Sequence, residues 1–174
     1  MEKNNIVLIG MPGVGKSTIG VILAKVLGYK FIDTDLIIQE KEQKLLSEII
    51  AESGVEGFIK IEDRINSELR ADKSIIATGG SVIYGENAMN NLKNIGKIVY
   101  LKQDFDSIQK RVDNIKGRGV VLKENQTFED LYNERTVLYE KYADITVEEG
   151  TMDVEETLKV LLKKIEGDCY EKGI

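Results

Sequence analysis

The stretch Gly10-Met11-Pro12-Gly13-Val14-Gly15-Lys16-Ser17-Thr18 decides how this chain is read. It follows the apolar run Ile6-Val7-Leu8-Ile9. It precedes Ile19, Ile22, Leu23, Val26 and Leu27, which recur at the i, i+3, i+4, i+7, i+8 spacing of a helix. Gly28 stands where that helix needs a C-cap. Two glycines framing four residues, then Lys16-Ser17, form the phosphate-loop pattern. Glycines let successive backbone N–H groups turn inward on phosphate oxygens, and the helix N-terminus adds its positive dipole. Gly13, Val14, Gly15 and Thr18 belong to this cradle. Lys16 reaches the β- and γ-phosphates, and the Ser17 hydroxyl is a ligand for Mg²⁺. A turn that merely joins strand to helix would not require Lys-Ser at this point. The pattern serves kinases, GTPases, motors and transporters; a chain of 174 residues suits a small phosphotransferase.

Outward from the loop, short β-branched runs alternate with amphipathic stretches. The runs are Tyr29 to Ile32, Ile75-Ile76-Ala77, Ile98-Val99-Tyr100-Leu101 and Ile145-Thr146-Val147. Apolar on both faces, they suit buried parallel strands. Helical stripes lie between them: Phe58, Ile61, Ile65 and Leu69; Phe105, Ile108, Val112 and Ile115; Leu131, Leu138 and Tyr142; and Val154, Leu158, Leu161, Leu162 and Ile165. Thr127 with Asp130 opens the stripe of Leu131 as a variant capping box. The alternation predicts a three-layer α/β fold with right-handed crossovers, in one domain over residues 1–174. Ligands in such sheets bind beyond the carboxyl ends of the strands.

Two strand ends therefore draw the eye. Phe31-Ile32-Asp33-Thr34-Asp35 closes the second run. Alternation in extended chain would put Asp33 and Asp35 on one side, roughly 7 Å apart. One carboxylate would support Mg²⁺ and the other would accept the proton of an attacking hydroxyl. The same two residues also suit the N-cap of a helix entering Leu36-Ile37-Ile38. The third run ends Ala77-Thr78-Gly79-Gly80-Ser81, without the Asp that a standard Walker B strand carries there. Metal support then falls to Asp33. Gly79 and Gly80 allow close backbone approach to a ligand.

Composition excludes much else. The chain has no His, which removes Ser-His-Asp triads, His-ligated zinc and any imidazole base. Its one Cys, Cys169, forbids an internal disulfide and suits a reducing cytoplasm. A net charge of −6 argues against a nucleic-acid binder. No apolar run approaches the roughly 20 residues of a membrane helix, and no signal peptide is read at the N-terminus. A monomer is the default expectation. The polar stretch 113–126 carries Arg118 between Gly117 and Gly119, a flexible cation-bearing segment of the kind that forms lids.

On these residues the chain resembles the shikimate kinase family. The likeness runs from the phosphate loop to about Val147 and rests on Gly10–Thr18, Asp33-Thr34-Asp35, Gly79-Gly80, Arg118 in Lys116-Gly117-Arg118-Gly119, and Asn133-Glu134-Arg135 through Tyr139 to Ala143-Asp144. It implies a five-stranded parallel sheet of order 2-3-1-4-5 flanked by helices, with a mobile lid. It implies transfer of the γ-phosphate of ATP to a ring hydroxyl of shikimate, a step towards chorismate and the aromatic amino acids. By the same resemblance Asp33 supports Mg²⁺, and Asp35 binds substrate hydroxyls and acts as the base. Arg118 stabilises the transferring phosphate, Arg135 holds the substrate carboxylate and Arg111 lies near the nucleotide.

The likeness breaks at the substrate subsite. The family usually has Phe-Arg where this chain reads Phe58-Ile59, so Ile59 replaces a second carboxylate-binding Arg. Lys60 is next to it, but helical geometry turns it about 100° away. Glu62 matches the acid that accompanies the missing Arg. The family usually has three glycines where this chain has Gly79-Gly80-Ser81, and commonly Arg-Pro where it has Arg118-Gly119. A kinase of the same architecture for another small hydroxy acid, such as gluconate or homoserine, and a nucleotide-binding switch without catalysis are the other readings.

Overall fold

The computed structural model describes residues 4–113, 122, 123 and 125–171. Five parallel strands are ordered β2-β3-β1-β4-β5, as the resemblance implied. They are β1 Asn5–Ile9, β2 Lys30–Asp33, β3 Ser74–Ala77, β4 Gly96–Lys102 and β5 Ile145–Glu148. The helices are α1 Lys16–Leu27, α2 Thr34–Glu42, α3 Leu46–Ser67, α4 Glu86–Ile95, α5 Phe105–Asp113, α6 Phe128–Tyr142 and α7 Val154–Glu171. A single 3₁₀ turn, Val82–Tyr84, joins β3 to α4.

The register sets the geometry of the upper edge. Leu8 pairs with Ala77, Asp33 pairs with Ala77 from the other side, and Ile9 pairs with Tyr100. Strands β1, β2 and β3 therefore end in line, and the residues after each of them meet over one edge. β1 is buried along its whole length, and Ile75, Ile76 and Ile98–Leu101 flank it in the core. β2 departs from the expectation of burial on both faces, because it is an edge strand and Lys30 is exposed. A smaller apolar cluster of Ile38, Ile49, Phe58 and Ile65 welds α2 to α3 beside the sheet.

Helix limits follow local chemistry. Gly28 takes the left-handed conformation at the end of α1, as expected for a C-cap. At α6, Thr127 accepts from the Asp130 N–H (3.1 Å) while Asp130 accepts from the Thr127 N–H (3.0 Å), the reciprocal box read from sequence. Three details differ from the sequence reading. Val26, placed on the apolar stripe of α1, is 58% exposed. Leu69 lies beyond the end of α3 at Ser67. Helix α2 realises the N-cap alternative at Asp33, and helix α4 was not anticipated, although α4 does bury Ala88, Met89, Leu92 and Ile95 along one face. Its Asn-rich sequence hid that stripe. Ile115 and most of the expected lid, 113–126, lie outside the described residues, as does the Cys169 side chain.

Gly10 leaves β1 with φ 147°, a backbone region that L side chains rarely adopt. A Cβ there would stand 2.6 Å from the Leu101 carbonyl oxygen on β4, which cannot move without breaking the sheet. Gly10→Ala is expected to cost at least about 2 kcal/mol of stability with no ligand present. Urea unfolding of the free protein checks this; an unchanged midpoint would contradict it.

Candidate active site

The phosphate loop turns directly off β1. Gly13 (φ 80°) and Gly15 (φ 104°) both lie in the left-handed region, which lets the loop curl back before α1 begins at Lys16. The Val14 N–H donates to the Met11 carbonyl at 3.2 Å across this curl. Lys16 is buried, and its Nζ donates to the carbonyls of Gly10 (2.7 Å) and Met11 (3.0 Å). Burial lowers its pKa to about 8 against the opposing pull of Asp35. The ammonium thus braces the loop from inside and stands ready to exchange carbonyl partners for phosphate oxygens.

The acidic pair sits where it was expected, by a different route. β2 stops at Asp33, and Asp35 is already in the first turn of α2. Extended alternation therefore does not bring them together; a strand-to-helix turn does. Asp33 serves that turn as N-cap, its Oδ1 accepting from the Asp35 N–H at 3.0 Å. Its other oxygen, Oδ2, accepts from the Ser17 hydroxyl at 2.9 Å. The capping reading of Asp33 is thus realised, and its second oxygen is turned to the phosphate-loop serine.

Helix α6 brings Arg135 to the same place. Arg135 is 1% exposed, and its guanidinium lies 5.5 Å from the Tyr84 ring centre. One turn on, the Tyr139 hydroxyl donates to the Gly80 carbonyl at 2.6 Å, and its ring stacks on Tyr100 of β4 at 5.0 Å. This fastens α6 to the glycine turn after β3. Thr78 replaces the absent Walker B carboxylate with a hydroxyl that donates to the Leu8 carbonyl at 2.9 Å.

A cavity of about 470 Å³ joins these parts. Gly13, Gly15, Lys16, Ser17 and Thr18 line it, together with Asp33, Asp35, Gly79, Gly80 and Arg135. Val14 is buried behind the loop. Arg111 lies outside the cavity wall, with Nη1 donating to the Val14 carbonyl (3.2 Å) and to Glu149 Oε2 (3.4 Å). Arg118 lies outside the described residues. Ile59 is half-buried and absent from the wall, and Lys60 is exposed, so neither supplies the cation whose loss the sequence indicated. Lys16 and Arg135 are the two cations of the wall among the described residues.

Sequence reasoning passed over Glu149 and marked Glu62 and Ser81 only by comparison with the family, without giving either a contact. Glu62, on α3, is 1% exposed and accepts from the Ser81 hydroxyl at 2.5 Å. Glu149, just past β5, is buried beneath Arg111, and burial raises its carboxyl. No periodicity distinguishes either acid from a solvated one; only the folded neighbours do.

Among the described residues, no group of three or more Asp, Glu, Cys or His could hold a metal unaided. Ser17 with Asp33 offers two hard oxygen donors, the sparse set that suits Mg²⁺ carried in with nucleotide phosphates.

A central parallel sheet with a phosphate loop feeding its first helix, and a carboxylate, Asp35, lining the same cavity, define a P-loop phosphotransferase. The chain belongs to the shikimate kinase family, whose model it matches over residues 12–166. It is 37% identical over 164 residues to the shikimate kinase of Clostridium botulinum (strain Alaska E43 / Type E3), covering 92% of this chain and 98% of that one. It superposes on the shikimate kinase of Acinetobacter baumannii, solved in complex with shikimate, with a TM-score of 0.86 at 31% identity, covering 96% and 95% of the two chains. Likeness to a gluconokinase from Sinorhizobium meliloti 1021 (TM-score 0.55, 17% identity, 98% of each chain) shows the shared fold alone.

Burial raises the Glu62 carboxyl to about 7; Asp35 pushes the same way, while Ser81, Arg135 and Lys16 oppose. A raised folded-state value means that folding favours the protonated form. In an unfolded chain Glu titrates near 4.3. The stability linked to Glu62 is thus full below about pH 4 and is lost as pH climbs through about 7. Between pH 5 and 8 the wild type is expected to lose about 2–3 kcal/mol relative to Glu62→Gln. Urea unfolding of both proteins at the two pH values measures this, and parallel profiles would refute it.

Proposed function

We propose that this chain transfers the terminal phosphoryl group of ATP to a hydroxyl of shikimate, with Mg²⁺ accompanying the nucleotide. One observation carries the reading: a single cavity joins an intact phosphate loop to Asp35 and to the buried guanidinium of Arg135. A nucleotide switch needs no carboxylate facing a hydroxyl and no guanidinium waiting for a carboxylate.

The steps follow from placement. Backbone N–H groups of residues 13–18 receive the phosphates at the N-terminus of α1. Lys16 gives up its contacts with Gly10 and Met11 to neutralise the β- and γ-phosphate oxygens. Ser17 and Asp33 would hold Mg²⁺, which neutralises phosphate charge when bound. Arg135 takes the acceptor's carboxylate in a fork-shaped bond and so fixes the ring. Asp35 orients the acceptor hydroxyl and takes its proton as the oxygen bonds to the γ-phosphorus and the bond to the β–γ bridging oxygen breaks. ADP leaves with that oxygen. We assign the charge building on the transferring group to Arg118 and the edge of the nucleotide to Arg111. The assignment carries with it a cytoplasmic, monomeric, single-domain enzyme of the route to chorismate.

Withdrawal of Ile59 from the cavity favours one second reading, in which the same machinery serves another small hydroxy acid. ADP release with Mg²⁺-ATP and a panel of shikimate, gluconate and homoserine separates the two. Strong shikimate-dependent turnover is expected; turnover with a different acceptor alone would overturn the substrate and keep the mechanism. In Asp35→Asn, turnover is expected to fall at least about 100-fold with the fold retained by circular dichroism. Undiminished turnover would remove Asp35 as the base.

A further inference from the structure

The turn Gly79-Gly80 separates two unlike groups. On the Gly79 side, a Cβ would stand 2.9 Å from Asp35 Oδ1 and closer still to Glu62 Oε1. On the Gly80 side, a Cβ would stand 2.9 Å from Arg135 Nη1. Both Glu62 and Arg135 are 1% exposed, so neither group is solvated by water. Each also keeps a buried polar atom, Glu62 Oε1 and Arg135 Nε, without a hydrogen-bond partner among the described residues. An acid and a base so placed would ordinarily close on each other, since a buried pair left open is costly.

What stands against closure is Ser81. Its hydroxyl, 5% exposed, is the partner of Glu62 Oε2 and comes from the residue immediately after the turn. The carboxyl is thereby fastened on the Gly79 side. The guanidinium stays on the Gly80 side, facing the cavity. Arg135 is the cation of the wall not engaged by the phosphate loop among the described residues, so its availability decides whether a carboxylate acceptor binds. This also accounts for the two departures of the substrate subsite together. With Ile59 where the family usually has an Arg, Glu62 lacks the cation that accompanies it there; a Glu62 left unheld would turn to Arg135, and a hydroxyl at position 81 prevents it.

We propose that Ser81 is a positioning residue that sets acceptor specificity, holding Glu62 away from Arg135 so that Arg135 remains available to the acceptor's carboxylate. The inference rests on the acceptor reading given above and deepens it.

The test compares the wild type with Ser81→Ala, Ser81→Thr and the double variant Ser81→Ala/Glu62→Gln, using ADP release with shikimate or with whichever carboxylate acceptor of the panel is turned over. Ser81→Ala is expected to raise the acceptor KM about tenfold, with kcat and the ATP KM within about twofold of wild type. Ser81→Thr keeps the hydroxyl and is expected to retain the wild-type acceptor KM. The double variant is expected to recover most of the loss, because a neutral amide does not sequester a guanidinium. An unchanged acceptor KM in Ser81→Ala overturns the proposal. So does a loss that the double variant fails to recover, which would mark Ser81 as a packing residue. Should Ser81→Ala fail to fold, Ser81→Gly, which also removes the hydroxyl and restores a run of three glycines, carries the same expectations. A wild type that turns over no carboxylate acceptor at all would instead defeat the acceptor reading, and this inference with it.

Discussion

The site depends first on the parallel register of β2, β3 and β1. Asp33 and Leu8 pair with Ala77 from opposite sides, so three strands stop at one level. Parallel pairing forces each connection to cross over the sheet, and the crossovers leave the carboxyl edge free for loops. The phosphate loop, the Asp33-Thr34-Asp35 turn and the Thr78–Ser81 turn then share one cavity. A slip of one residue in β2 would carry Asp33 to the other face and away from Ser17.

On that frame the polar groups hold one another in readiness. Lys16 bonds the carbonyls of its own loop, and Ser17 bonds Asp33, which caps the helix bearing Asp35. Tyr139 ties α6 to Gly80, bringing Arg135 to the cavity wall. Lys16, Ser17, Asp33 and Arg135 thus each have a protein partner or neighbour that fixes their place. The arrangement leaves charged groups buried, and that burial shifts Lys16 down to about 8 and Glu62 up to about 7. Perturbed groups gather here because one water-poor cavity must hold both anions and cations.

How much was legible differs by element. The loop Gly10–Thr18 could be read directly, because its conformation depends on glycines at fixed spacing and its chemistry on adjacent residues. The strands were legible as short β-branched runs, and the cap of α6 as Thr127 with Asp130. Helix α4 escaped because four Asn residues dilute its stripe, while α2 was legible only as the N-cap alternative at Asp33 and Asp35. The convergence of Asp33 with Asp35 was foreseen, but its cause was misread as strand alternation.

The sequence by itself determined the fold class, the nucleotide end of the site and the family. Those features are written locally, in runs and motifs whose physics needs no distant partner. Tertiary structure alone decided the acceptor end. That Arg135 is buried, that Glu62 has Ser81 for company, and that Ile59 leaves the wall all depend on α3, α6 and the β3 turn meeting. These contacts join residues 19 to 59 positions apart, and the energy of a buried charge is set by what surrounds it in space rather than along the chain.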